Sequence, residues 1–216
     1  MNSPWEEEEE YARQVYEEKL FEEWVQDQGL VHPNDAISDF TSERLRSYYL
    51  NHPDLTQPAA TSLAYARSLL GTYSRAAIVF AVGAMEMAWK NVLVRPLVFG
   101  LVHTEEMAAI VSTVALKRNS LEDVKHLLPS LLAKYGGVDL KQPHHLTQST
   151  RSLWQEMLDI QGVRNSIAHS GDAQHDSKGP LAVAIAEALL EDIFPSVIGH
   201  LNLTLCNGKV VGRLPF

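Results

Sequence analysis

The stretch that most constrains this chain is "AAIVFAVGAMEMAWKNVLVRPLVFGLV" at residues 76–102. It is the most apolar region, and Glu86, Lys90 and Arg95 interrupt it. Those charges leave it short of the roughly 18–20 uninterrupted apolar residues that a membrane span needs, so no membrane association is expected. The helical pattern starts earlier, at Ala59, and continues to about Arg95, with a break or bend at Gly71 and Thr72. Pro96 is expected to end that element, because it lacks an N–H and crowds the preceding turn.

The remaining periodicity is also helical. At the N-terminus Ser3 and Pro4 read as a helix start, and Glu6 to Glu10 lie where the helix dipole favours negative charge. Ala12, Tyr16, Leu20 and Trp24 recur every fourth residue, widened by Val15, Phe21 and Val25, which predicts a helix docking on one face. Residues 29–57, punctuated by Gly29, Pro33 and Pro53 with Pro58 just beyond, read as a connector with a short helix across "SERLRSYY". Helices follow near 104–117 and 120–134, the second capped by Ser120 and stopped by "YGG" at 135–137. A further helix is predicted from about Thr150 to Ser170, stopped by Gly171, and a last one from Pro180 to about Asn202. The final stretch "LTLCNGKVVGR" sets Asn-Gly between two strand-like runs, which predicts a short β-hairpin. The expected fold class is all-α: a helical bundle (57–203) with an N-terminal acidic helix and connector (1–56) and a C-terminal hairpin tail (204–216).

Charge and cysteine content narrow the function. Of the 216 residues, 45% are hydrophobic and 21% charged, the composition of a folded globular protein. The net charge is -9, but residues 1–30 alone hold ten acids against Arg13 and Lys19, a balance of -8, which leaves -1 for everything else. A general basic face for nucleic acid is therefore missing, and any phosphate contact must be local. The single cysteine, Cys206, excludes an internal disulfide and a cysteine-based zinc cluster and suits a reducing compartment. No secretory signal is expected from the first residues, and the expected location is the cytoplasm.

Against this scaffold, "QGVRNSIAHSGD" at 161–172 stands out. Asn165 and His169 are four residues apart and share a helix face. Arg164 points about 100° away from Asn165, but its long side chain can swing back toward the same cleft. Ser166, Ala168, Ser170 and Gly171 are small and leave the backbone open to close approach. A planar fork of donors, an amide and a titratable imidazole suit the holding of a phosphodiester and the movement of its protons. The structural alternative is that Arg164 pairs with an acid while His169 favours the helix C-terminus as a cation.

"RNSIAH", on a helix that follows the long helix containing "MEMAWK" and precedes one beginning "GPLAVAIAEALLEDI", resembles the HEPN superfamily over about residues 57–202. The form Arg-Asn-x-x-Ala-His matches its abortive-infection and RiboL-PSP-like branches position for position. The resemblance implies a metal-independent endoribonuclease that needs no cofactor and acts as a homodimer through the motif helix. It assigns His169 as general base or acid on the ribose 2'-hydroxyl and the leaving oxygen, Arg164 as the stabiliser of phosphate charge, and Asn165 as the group orienting phosphate or imidazole. Products would carry 2',3'-cyclic phosphate and 5'-hydroxyl ends. Glu86 resembles an acidic position that braces the arginine from the preceding helix; its alternative is an ion pair with Lys90 four residues on. A toxin or defence-effector role, with an antitoxin or other regulatory protein as partner, follows from the same resemblance.

The rival class is a catalytically silent HEPN-like module for dimerisation or interaction, since a fold alone does not imply function. A third reading, nucleic-acid mimicry by the acidic N-terminus, ranks below both. His144 and His145 together with His169, Asp172, His175 and Asp176 resemble loose metal ligands, but no spacing among them matches a zinc pattern such as His-Glu-x-x-His. No metal site is expected.

Overall fold

A computed structural model describes residues 13, 15–21, 23–24, 33–102, 104–118, 121, 127–170 and 175–213. The chain forms two compact units, Met1–Thr41 and Ser42–Phe216. In the first, residues 15–21 are helical, and the apolar stripe expected to dock is exposed at Val15, Tyr16, Leu20, Phe21 and Trp24. The helix start at Ser3 and Pro4, the run Glu6 to Glu10, Ala12, Val25 and the cap at Ser120 lie outside the described residues.

The second unit is helical with a small C-terminal hairpin. Helix α1 (Pro33–Asn51) is longer than the short segment expected inside a connector. Leu45 and Tyr49, one turn apart, bury in the core, so the stretch after Thr41 packs with the bundle. Helix α2 (Gln57–Leu69) carries Pro58 in its first turn, where the missing N–H costs nothing, and buries Ala59, Leu63 and Ala66. A tight turn through Gly71 leads to α3 (Ser74–Leu101), which packs back on α2. Ser62 donates to the Phe80 carbonyl at 2.8 Å across that contact.

By length and composition α3 is apolar enough to cross a membrane, despite carrying Arg75, Glu86, Lys90 and Arg95. One face of it is instead taken up by the bundle, where Ala77, Ile78, Ala81, Val82, Ala84, Met85 and Trp89 are buried, while Val79, Phe80 and Leu101 stay exposed. Pro96 does not end it. The α-helical part Ser74–Met87 passes into a π-helical segment, Ala88–Val94, and then resumes as Arg95–Leu101 with Pro96 in its first turn. The π-helical register, with the Arg95 N–H on the Lys90 carbonyl, leads into Pro96, and the Val92 carbonyl in this segment accepts the Tyr49 hydroxyl of α1 at 2.9 Å. Complete burial pushes the Tyr49 phenol far up from its ordinary value, with Tyr48 adding to the shift, and keeps it a donor.

Two shorter helices follow, α4 (Glu105–Arg118) and α5 (Leu127–Gly136). Gly137, at φ +62°, ends α5 in the left-handed region as "YGG" predicts, and a Cβ there would collide with the His200 ring. Helix α6 (Leu153–Ser170) carries the motif. Helix α7 runs from Gly179 to His200 and repeats the pattern of α3: a π-helical segment, Ala188–Ile193, with Pro195 just after it. Arg67 of α2 ties this helix down by contacting Glu187 and Glu191, both at 2.8 Å. Strands β1 (Leu203–Cys206) and β2 (Lys209–Gly212) pair antiparallel, with Cys206 opposite Lys209. Asn207 and Gly208 both have positive φ, the signature of the type I′ turn that Asn-Gly predicts. The hairpin is part of the second unit, since Leu203 and Val210 bury in its core and the Val210 N–H donates to the Pro53 carbonyl.

Tyr49→Phe leaves the Val92 carbonyl buried without a partner and is expected to cost about 1–3 kcal/mol. Urea unfolding should show a lower midpoint with an unchanged slope; an unaltered midpoint would mean that the carbonyl is satisfied elsewhere.

Candidate functional site

Helix α6 has two halves with different jobs. Its start is set by a reciprocal cap: the Ser152 N–H donates to Gln155 Oε1 and the Gln155 N–H to Ser152 Oγ, both at 3.3 Å. The helix therefore begins at Leu153 rather than at Thr150. The free N–H groups of Leu153 and Trp154 are taken by the carbonyls of Gln142 and Leu140 in the preceding loop. Leu153, Trp154, Met157 and Ile160 then fill the core side, as their spacing predicts. Glu156, 3% exposed, is held by the Ser149 hydroxyl at 2.6 Å.

From Gln161 to His169 no side chain is fully buried. Val163 and Ile167 only lean on the core, and Gly162 faces open space. The motif sits on this half. Arg164 Nη1 donates to Asn165 Oδ1 at 2.9 Å, and Nη2 faces Glu86 Oε2 at 3.5 Å. Glu86 Oε1 also accepts the Gln161 amide at 3.2 Å. Of the two partners open to Glu86, the arginine is the one it faces, while Lys90 lies 5.1 Å over the Trp89 ring. His169 is exposed, one turn beyond Asn165, and makes no hydrogen bond or ion pair among the described residues. The structure thus joins Arg164, Asn165 and Glu86, and leaves His169 open beside them. The side chain of Ser170, and Gly171 and Asp172, lie outside the described residues.

The arrangement has clear chemical capacity. A guanidinium carries five donors, and the Asn165 and Glu86 contacts leave some of them for an incoming anion. Arg164 is about one-third exposed, so the Glu86 pair is worth little in stability and orients more than it anchors. Sequence reasoning missed a second cationic feature. Lys90 and Arg95 line a cleft of about 260 Å³ with Asn91, Ser112 and Thr113. Its only signal was that these cations interrupt the apolar run.

A titratable cluster lies at the other end of α6. His144 and His145, adjacent in the loop, face Asp192 from the π-helical segment of α7: their Nε2 atoms lie 3.6 and 3.4 Å from Asp192 Oδ2. The three residues can direct ligand atoms within 4.8 Å of one another. The expectation of no metal site rested on spacing within the loop, and the third group arrives from 47 residues further on.

Burial holds the His144 pKa below its ordinary 6.5, the neighbouring His145 lowers it further, and Asp192 opposes both. The unfolded chain therefore takes up this proton first, and stability falls as pH drops through about 6.5 toward the lower folded value. Denaturation midpoints measured from pH 7.5 to 5 should decline more steeply for the wild type than for His144→Gln.

No protein-family model, curated protein or solved structure matches the chain.

Proposed function

We propose that the chain is a metal-independent endoribonuclease of HEPN type, working as a homodimer across the motif-bearing half of α6. The observation that carries the reading is the contrast within that helix. Its first half is core, while the half bearing Arg164, Asn165 and His169 is only partly covered by its own bundle. A copy related by two-fold symmetry would cover it and double the donors, which suits a chain without a general basic face.

In that cleft one His169 takes the proton of the ribose 2'-hydroxyl, and the resulting oxygen attacks the adjacent phosphorus. Arg164 stabilises the charge that builds on the phosphoryl oxygens, with Asn165 holding the guanidinium in place. The 5'-oxygen departs with a proton from the second imidazole, leaving a 2',3'-cyclic phosphate and a 5'-hydroxyl. Imidazole serves both steps because its ordinary pKa lies near neutrality. Glu86 positions Arg164 from α3, and the Lys90–Arg95 cleft offers further cations to the RNA backbone. A role as toxin or defence effector, held in check by an antitoxin or regulatory protein, belongs to the same proposal.

The silent-module reading draws on one observation: Arg164 already has an acidic partner in Glu86. Cleavage of total and transfer RNA in EDTA separates the two. Wild type should cut, and Arg164→Ala and His169→Ala should each lose about 10²-fold or more, the usual weight of an acid–base or charge-stabilising group. Absence of cutting by wild type, or equal cutting by all three, would favour the module.

A further inference from the structure

We infer that His144, His145 and Asp192 form a binding site for a zinc-class divalent cation that fastens the 137–152 loop to α7. The donor set suits such an ion: two imidazoles and one carboxylate are the ligand types of a three-residue zinc site that keeps one position open. The two legs to the carboxylate agree, and the imidazole pair, in a set whose atoms lie within 4.8 Å of one another, closes on the ion as it binds. Zinc–nitrogen and zinc–oxygen bonds of about 2.0–2.2 Å in a tetrahedron put ligand atoms roughly 3.3–3.6 Å apart. The two Nε2 to Oδ2 separations are 3.6 and 3.4 Å. They exceed the ~2.7–3.2 Å of a good N–H···O bond, and Asp192 Oδ2 is buried with no hydrogen-bond partner. The imidazoles stack at 4.6 Å between centroids, so protonating both to satisfy that oxygen is disfavoured.

The open side has somewhere to lead. A cavity of about 300 Å³ adjoins the three residues and is bordered by Leu140, Gln142, Leu153 and Ser196, room for a water or small anion as fourth ligand. Coordination through His144 Nε2 places the ring proton on Nδ1, which now accepts the Leu146 N–H at a long 3.4 Å; loading the site replaces that weak contact. The loop so fastened also supplies the carbonyls that cap α6, which makes the ion a structural clamp at the base of the motif helix. Leu153, at the cavity, lies roughly 17–24 Å along α6 from Arg164–His169 at a rise of ~1.5 Å per residue. The site is separate from the motif and does not depend on the ribonuclease reading.

The test is calorimetric titration of untagged, EDTA-stripped and dialysed full-length protein with Zn²⁺, with Co²⁺ as a spectroscopic probe. One equivalent should bind at a Kd of about 1 μM or tighter, and Co²⁺ should give the intense visible absorption of a four-coordinate ion. His145→Ala and Asp192→Asn should each weaken binding at least tenfold, while His169→Ala binds like wild type. His145 is 74% exposed, so its replacement keeps the fold and the test stands even if Asp192→Asn does not. No saturable one-equivalent binding, or binding unaffected by His145→Ala, would overturn the inference.

Discussion

The second unit depends on how closely three helices approach. Helix α3 packs on both α2 and α7, and the buried positions along them are rich in alanine: Ala66 on α2, Ala77, Ala81, Ala84 and Ala88 on α3, and Ala182, Ala186 and Ala188 on α7. None is more than 1% exposed. Small side chains bring helix axes together, and larger ones (Leu63, Ile78, Val82, Met85, Trp89, Ile185, Leu189) fill the spaces around them. Because the interior is close-packed, an element resting on α3 inherits its position, and α6 is such an element.

Both long helices loosen into a π-helical segment just before a proline, and the two segments pack near each other. The acids that matter most sit at these places. Glu86 lies two residues before the first segment and meets Arg164, and Asp192 lies within the second and meets the two histidines. Irregular turns of this kind often occur at functional sites, because they move side chains off the regular helical register.

That irregularity explains what could and could not be read in advance. The apolar stripe of α6, the Asn-Gly turn, the glycine stop at Gly137 and the helices after residue 57 follow from local rules of period and turn chemistry. The continuation of α3 through Pro96 was not legible, because it runs through a π-helical register, and the Tyr49 hydroxyl that bonds this segment comes from a stretch whose prolines suggested a linker. Asp192 was invisible as a partner of His144 and His145 for a similar reason: the groups meet only through tertiary packing. The meeting of Arg164 and Asn165 was legible from their adjacency on one helix, and His169 follows one turn beyond Asn165. Glu86 needed the structure to choose between its alternatives.

The central proposal is that the motif-bearing half of α6 uses the ribose 2'-hydroxyl as nucleophile, with His169 moving its proton. The most direct measurement compares an RNA that the protein cuts with the same strand carrying 2'-O-methyl groups throughout, followed by end-group analysis of the products. The RNA should yield cyclic-phosphate and 5'-hydroxyl ends, and the methylated strand should stay intact because its nucleophile is blocked. Cleavage of the methylated strand, or 5'-phosphate ends from the RNA, would contradict the proposal.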